Sequence, residues 1–333
     1  MTLSVFLAAA TFCLAWAATR GAIGWARRRN LLDHPNHRSS HAQATPRGGG
    51  IAIVLAFYAG ATALYALGML PGRTLAMLAC GLPVAIVGYV DDAITLSARV
   101  RLLVQALSTA ALLWLAAPLP ALQIAGYTMA APLAALLYAL AVVWLTNLYN
   151  FMDGIDGIAS GQAIAAGLLW ALLAPTSVSV PIGLTLAAAT AGFLRYNWPP
   201  ARIFMGDVGS GFCGFILAAA ALSCAAASAT PVVWWLIPLA PFICDATTTL
   251  AVRTLRGKTP GVAHRSHAYQ HLARRLNAHL PVSLAYTAVS ALYAGPLFWW
   301  ASLAPATRAM PAFLACMLPL CAIAVLLRAG RDD

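Results

Sequence analysis

The chain has 333 residues, 62% of them hydrophobic and 9% charged, whereas a soluble domain carries about 25% charged residues. A chain this apolar cannot cover itself with polar surface, which excludes a water-soluble globule and makes a bilayer its solvent. Twenty Lys and Arg stand against nine acidic residues, all Asp, giving a net charge of +11. The basic residues fall in short gaps between apolar runs and not along one face, so the expected partners are anionic membrane lipids and phosphate, not nucleic acid.

A membrane span needs about 20 apolar residues. In chain order, about 11 runs qualify: 3–19, 50–70, 74–91, 102–117, 131–148, 159–175, 179–195, 211–229, 232–251, 283–302 and 310–328. The first run has no basic segment ahead of it and arginines behind it, which reads as a retained span and not a signal peptide. The seven cysteines all lie in apolar runs with no C-x-x-C pair, as small hydrophobes do. No repeat and no room for a soluble domain appear, so the expectation is a single all-α, polytopic membrane domain over residues 1–333.

Charge then orients the chain. The gaps after the odd-numbered runs hold 18 of the 20 Lys and Arg; the opposite gaps hold only Arg73 and Arg308. By the positive-inside rule this puts the N-terminus in the periplasm and the C-terminus in the cytoplasm, across the inner membrane. All seven His, and every Asp except Asp245, fall on the cytoplasmic side. A transporter or flippase places polar groups along a path through the bilayer. Polar groups gathered on one face suit an enzyme working at the membrane surface instead.

The gaps carry distinct constellations. The first has Arg38 and Arg47 ahead of Gly48, Gly49 and Gly50, a setting for phosphate or for plain membrane anchoring. Asp91 and Asp92 are adjacent and repel unless a cation or proton intervenes; a hard divalent cation is the usual remedy, a solvated helix end the plainer alternative. Asn147 and Asn150, then Asp153 and Asp156, are spaced three apart, so each pair shares a face if helical. Helix capping accounts for some of these four groups but not all. Arg202 precedes Gly206, Asp207, Gly209 and Ser210, a glycine-rich helix start with an acid inside it, which reads as a metal-diphosphate site. His264, Arg265, His267 and His271 follow, the histidines spaced as one helical stripe. They suit phosphate better than zinc beside so many carboxylates and arginines, and an amphipathic surface helix is the competing explanation. Asp245 lies inside an apolar run, where a charge costs about 2.5–3.5 kcal/mol at a helix centre.

In this order, the Asp91-Asp92 pair, Asn147-x-x-Asn150-x-x-Asp153-Gly-Ile-Asp156-Gly, Phe204-Met-Gly-Asp207-x-Gly-Ser210 and the late histidines resemble the polyprenyl-phosphate N-acetylhexosamine-1-phosphate transferases. That superfamily includes the muramyl-pentapeptide translocase and the enzymes that initiate O-antigen and enterobacterial common antigen. The resemblance implies transfer from a UDP-N-acetylhexosamine to undecaprenyl phosphate with release of UMP, dependent on Mg²⁺ or Mn²⁺, by a homodimer. It implies Asp207, with Asp153, as metal ligands. Asp91 and Asp92 would sit by the lipid phosphate, one as a base. Asn147, Asn150, Asp153 and Asp156 would line the nucleotide and metal site, and Arg38, Arg47, Arg202, His264, Arg265 and His267 would bind substrate. Thr95 stands where the family often has Lys, and the His264-Arg-Ser-His267 string lacks the translocase branch's adjacent histidines and acid. Both features count against the translocase branch, and the His264-Arg-Ser-His267-Ala-Tyr-Gln string looks more like the O-antigen-initiating branch.

Overall fold

The computed structural model describes residues 2–33, 44–124, 127–259 and 264–331. Helices dominate: α1 (Thr2–Arg28), α2 (Ile51–Ala66), α3 (Gly72–Ala79), α4 (Leu82–Ile94), α5 (Ala98–Leu115), α6 (Ala131–Met152), α7 (Ile158–Leu173) and α8 (Ser179–Asn197) come first. They are followed by α9 (Gly206–Ser228), α10 (Val232–Leu236), α11 (Ala240–Leu255), α12 (Ala268–Leu276), α13 (Leu280–Val289), α14 (Gly295–Ser302) and α15 (Pro305–Leu326). Every apolar run of the sequence falls on these helices. Among the described residues, eight helical segments are long and apolar enough to cross a membrane, and α2 and α7 are shorter apolar helices. The chain is a multi-pass membrane protein.

Burial separates inner from outer helices. The apolar stretch of α9 is entirely enclosed, whereas about a fifth of α1, α5 and α15 is buried. The sequence of α9 is mostly Gly, Ala, Ser and Cys. Small side chains let neighbouring backbones approach closely, which is how helices associate in a medium that gives no hydrophobic drive. α4 and α6 flank α9, while α1 packs on α2 and α8 and α7 packs on α8. The outer helices turn Leu103, Leu107, Trp114, Leu318 and Leu326 outward, the apolar surface that lipid requires.

The packing gathers one end of the bundle. The C-terminal ends of α4 and α6 and the N-terminal ends of α5, α7 and α9 lie there, bringing Asp91, Asp92, Arg101, Asn150, Asp153 and Asp207 onto neighbouring helix termini. α12 is the most amphipathic helix among those described, with Arg274 and Arg275 in its last turn and Asn277 closing it in a left-handed conformation.

Candidate active site

Asp92 is the pivot. It is buried near the end of α4, and its two oxygens accept the amides of Asp207 (3.1 Å) and Val208 (3.2 Å). Those are first-turn amides of α9, otherwise without partners, and the positive end of the helix dipole faces the carboxylate. The sequence suggested that this turn offers its amides to phosphate; in the folded chain Asp92 holds them. The approach needs glycine at 206. Gly206 has φ +74°, and a Cβ there would lie 2.5 Å from an Asp92 oxygen.

Asp91 has both oxygens engaged as well. One accepts the amide of Leu96 and the other lies 2.6 Å from an Arg101 nitrogen. The same nitrogen is 2.9 Å from Asp207, so Arg101 clips two carboxylates from separate helices. Arg47 donates to the backbone carbonyl of Asp92. Asp153 follows the last turn of α6. Burial, with the charges of Asp207, Asp92 and Asp156, pushes its carboxyl well above the usual carboxylate range, although part of its surface still reaches solvent. Asn150 accepts a hydrogen bond from Ser210 on α9 at 2.7 Å.

Other expected site residues are tied elsewhere. Asn147 pairs amide to amide with Gln105 of α5, at 2.6 Å and 3.4 Å. Asp156 accepts the Ala201 amide (3.0 Å) and faces His279 Nδ1 at 3.3 Å, joining the 153–157 turn to the segment before α9 and to α13. The amides of Gly49 and Gly50 donate to the carbonyls of Phe204 and Met205, so the glycine triplet is a packing joint and not a phosphate cradle. Arg202 is exposed, and Arg265 is half-buried with its carbonyl held by Arg274. Arg38 lies outside the described residues, as do His34, His37 and His41.

The late histidines do not form one helical stripe, because α12 begins only at Ala268 and His267 is its cap residue. His264 stacks on His267 with ring centroids 5.0 Å apart, whereas His271 turns to Arg274 and to the Arg331 carbonyl. Arg101, Gln105 and His279 are neighbours of the site that their sequence setting concealed. Arg101 looked like one of many positive-inside arginines; its signal was its place nine residues after Asp92 in the same gap.

Asp91, Asp92, Asp153 and Asp207 thus bring four carboxylates to one helix-end cluster, with Arg101 and Arg47 against them. A hard divalent cation binds oxygens and relieves like charge, so this donor set fits one in kind. Among the described residues no ready-made group of three ligands is closed around a cation position. Arg101 instead supplies the positive charge between Asp91 and Asp207.

A family model described as glycosyl transferase family 4 matches residues 74–225, the stretch that carries all four of these acids and Arg101. The phospho-N-acetylmuramoyl-pentapeptide-transferase of Deinococcus radiodurans is 30% identical over 284 residues, 78% of this chain and 85% of the relative. The chain belongs to glycosyl transferase family 4. A probable undecaprenyl-phosphate N-acetylglucosaminyl 1-phosphate transferase of Bacillus subtilis is 31% identical over 251 residues, 72% of this chain and 69% of the relative. The decaprenyl-phosphate N-acetylglucosaminephosphotransferase of Mycolicibacterium smegmatis is 31% identical over 236 residues, 61% and 57% of the two chains. In this family 4 member the late histidine segment and Arg47 lie outside the stretch the family model matches.

Proposed function

We propose that this family 4 enzyme transfers N-acetylhexosamine-1-phosphate from a UDP-linked donor to undecaprenyl phosphate and releases UMP. The observation that carries the reading is the acidic cluster of Asp91, Asp92, Asp153 and Asp207, clipped by Arg101, at one end of an otherwise apolar bundle. Both substrates bring phosphate. A divalent cation, Mg²⁺ or Mn²⁺, held by Asp207 and Asp153, would screen that charge and stabilise the transferring phosphoryl group.

The lipid-phosphate oxygen attacks the sugar-proximal phosphorus and UMP leaves. A phosphate monoester has a second pKa near about 6 and is largely ionised at neutral pH. A base is therefore not required, and the geometry favours its absence: both oxygens of Asp91 and both of Asp92 are occupied by amides or Arg101. These two residues hold the start of α9 and Arg101 in place, which sets the Arg101 guanidinium between Asp91 and Asp207. The lipid tail has a bed. An apolar groove between α6, α9, α11 and α15 is lined by Val142, Leu145, Leu148, Leu222, Ile243 and Phe313. Its lining on α6 runs from Tyr138 to Leu148, and Leu148 is five residues before Asp153.

The charge asymmetry of the gaps supports an inner-membrane orientation with this end cytoplasmic, where UDP-sugars are made. The His264-Arg-Ser-His267 string supports a donor of the O-antigen-initiating kind. The test is purified protein with Mg²⁺, undecaprenyl phosphate and a panel of UDP-N-acetylhexosamines, with release of UMP as the readout. UMP appears with at least one donor. Silence with every donor overturns the reading and favours a transporter.

A further inference from the structure

Asp245 is 1% exposed, in the first half of α11, and the chemistry above makes no use of it. Its surroundings are complete in a way that the acidic cluster's are not. One oxygen accepts Thr249 Oγ1 (3.1 Å) and the Ala268 amide (2.9 Å); the other accepts the Tyr269 amide (2.9 Å) and the Tyr286 hydroxyl (2.6 Å). Four donors fill the four lone-pair positions of an ionised carboxylate. His267 Nδ1 stands 3.4 Å from the first oxygen and faces the carboxylate.

We infer that Asp245 is a positioning residue: from inside α11 it fixes the first turn of α12, and thereby holds His267 and Tyr269 against the acidic site. The connection is continuous. Ala268 and Tyr269 are fully buried, so without Asp245 their amides would be left without acceptors. The Tyr269 hydroxyl donates to the Phe151 carbonyl at 2.9 Å, two residues before Asp153. A Cβ on Gly154 would lie 2.1 Å from that hydroxyl, so the glycine after Asp153 is where Tyr269 docks. His267 is sandwiched between His264 and Tyr269, at centroid distances of 5.0 and 5.7 Å, with the Phe151 ring 6.3 Å away. A carboxylate facing Nδ1 favours a proton on that nitrogen and leaves Nε2 as the atom to meet a ligand. That His267 meets the phosphates of the nucleotide-sugar rests on the transferase reading above; the hold of Asp245 on α12 rests on geometry alone.

The experiment compares wild-type enzyme, Asp245→Asn, His267→Gln and the double variant, each reconstituted in lipid. Asp245→Asn is expected to raise the KM for the UDP-sugar at least tenfold and to leave the KM for undecaprenyl phosphate within twofold. The double variant is expected to raise the donor KM by less than the product of the two single effects, since part of the Asp245 effect passes through that side chain. Hydrogen exchange in residues 264–276 is expected to quicken at least tenfold in Asp245→Asn, with α9 unchanged. Losses that multiply in the double variant, equal rises in both KM values, or unaltered exchange at 264–276 overturn the inference. If α9 also loses protection, Tyr269→Phe replaces Asp245→Asn. It cuts the link to Phe151 and leaves Asp245 in place, and it must still raise the donor KM; an unchanged value overturns the inference. A wild-type enzyme that releases no UMP sinks the transferase reading, while the exchange measurement still decides whether Asp245 holds α12.

Discussion

Asp92 and Asp245 each reach out of one helix to receive the first amides of another: Asp92 takes those of Asp207 and Val208 at the start of α9, and Asp245 those of Ala268 and Tyr269 at the start of α12. Their other neighbours differ. Around Asp245 stand two hydroxyls and an imidazole, all able to donate. Around Asp92 stand Asp91, Asp153 and Asp207, with Arg47 and Arg101 opposing them. A carboxylate whose lone pairs are all matched to neutral donors fixes shape. A carboxylate crowded by its own kind keeps an excess of negative charge, and that excess can attract a cation and, through it, phosphate.

The largest way to break the contrast is Asp207→Ala. UMP release is expected to fall by at least about 10²–10³-fold, the scale of losing one preorganised electrostatic element. The protein still inserts, and its unfolding in detergent stays close to wild type, because the Asp207 side chain carries no amide cap. Near-normal turnover would break the assignment of the acidic cluster.

The next expectation concerns pH. The carboxyl of Asp153 titrates well above its ordinary range, raised by burial and by Asp207, Asp92 and Asp156, so the cation-free protein favours its protonated form. Cation binding must expel that proton, so affinity for Mn²⁺ is expected to rise with pH, by up to about tenfold per unit below the folded pKa, and then to level off. Stability has the matching sign. The contribution of the neutral carboxyl is complete below its unfolded pKa and is lost as pH rises through the folded one, and added cation restores it. Mn²⁺ binding by electron paramagnetic resonance at several pH values reads the first effect, and the unfolding temperature without cation reads the second. A pH-independent affinity would show that Asp153 takes no part.

Gly206→Ala tests the cap itself. The left-handed backbone costs about 1–2 kcal/mol for a residue with a Cβ, and the Cβ collides with the Asp92 carboxylate. Loss of the two cap bonds adds about 1 kcal/mol each, so a clear fall in unfolding temperature is expected together with lost turnover. Wild-type stability would show that α9 does not need its cap. The smallest effect is expected from Asn147→Ala. Its amide is already matched to Gln105, so the variant loses about 1 kcal/mol of stability and no more than a few-fold in rate. A collapse in activity would place Asn147 on substrate after all.

Much of this was legible in the chain. The apolar runs and the positive-inside count mark a helical membrane protein, since a bilayer demands long unbroken apolar stretches whatever their packing. The acids of the cluster stand out because carboxylates beside a membrane are costly unless used. The glycine-rich segments at 48–50 and 206–211 misled in part. Free amides and amides engaged by another helix look identical in sequence, and only folding showed that Phe204, Met205 and Asp92 had taken them. Arg101 was hidden among arginines that orient the chain, and the histidine spacing suggested a stripe that the late start of α12 dissolves.

What the sequence determined by itself was therefore local and compositional: which stretches sit in lipid, which end carries the charge, and which acids belong together. Tertiary structure alone decided which of those groups are matched and which remain in excess. Matching depends on partners more than 40 residues apart, as Asp92 is from Asp207 and as Arg101 is from Asp207. Asp245 is the sharpest case, because a lone acid in an apolar run reads only as a cost until α12 and α13 bring it the donors that make it the anchor of the His267 turn.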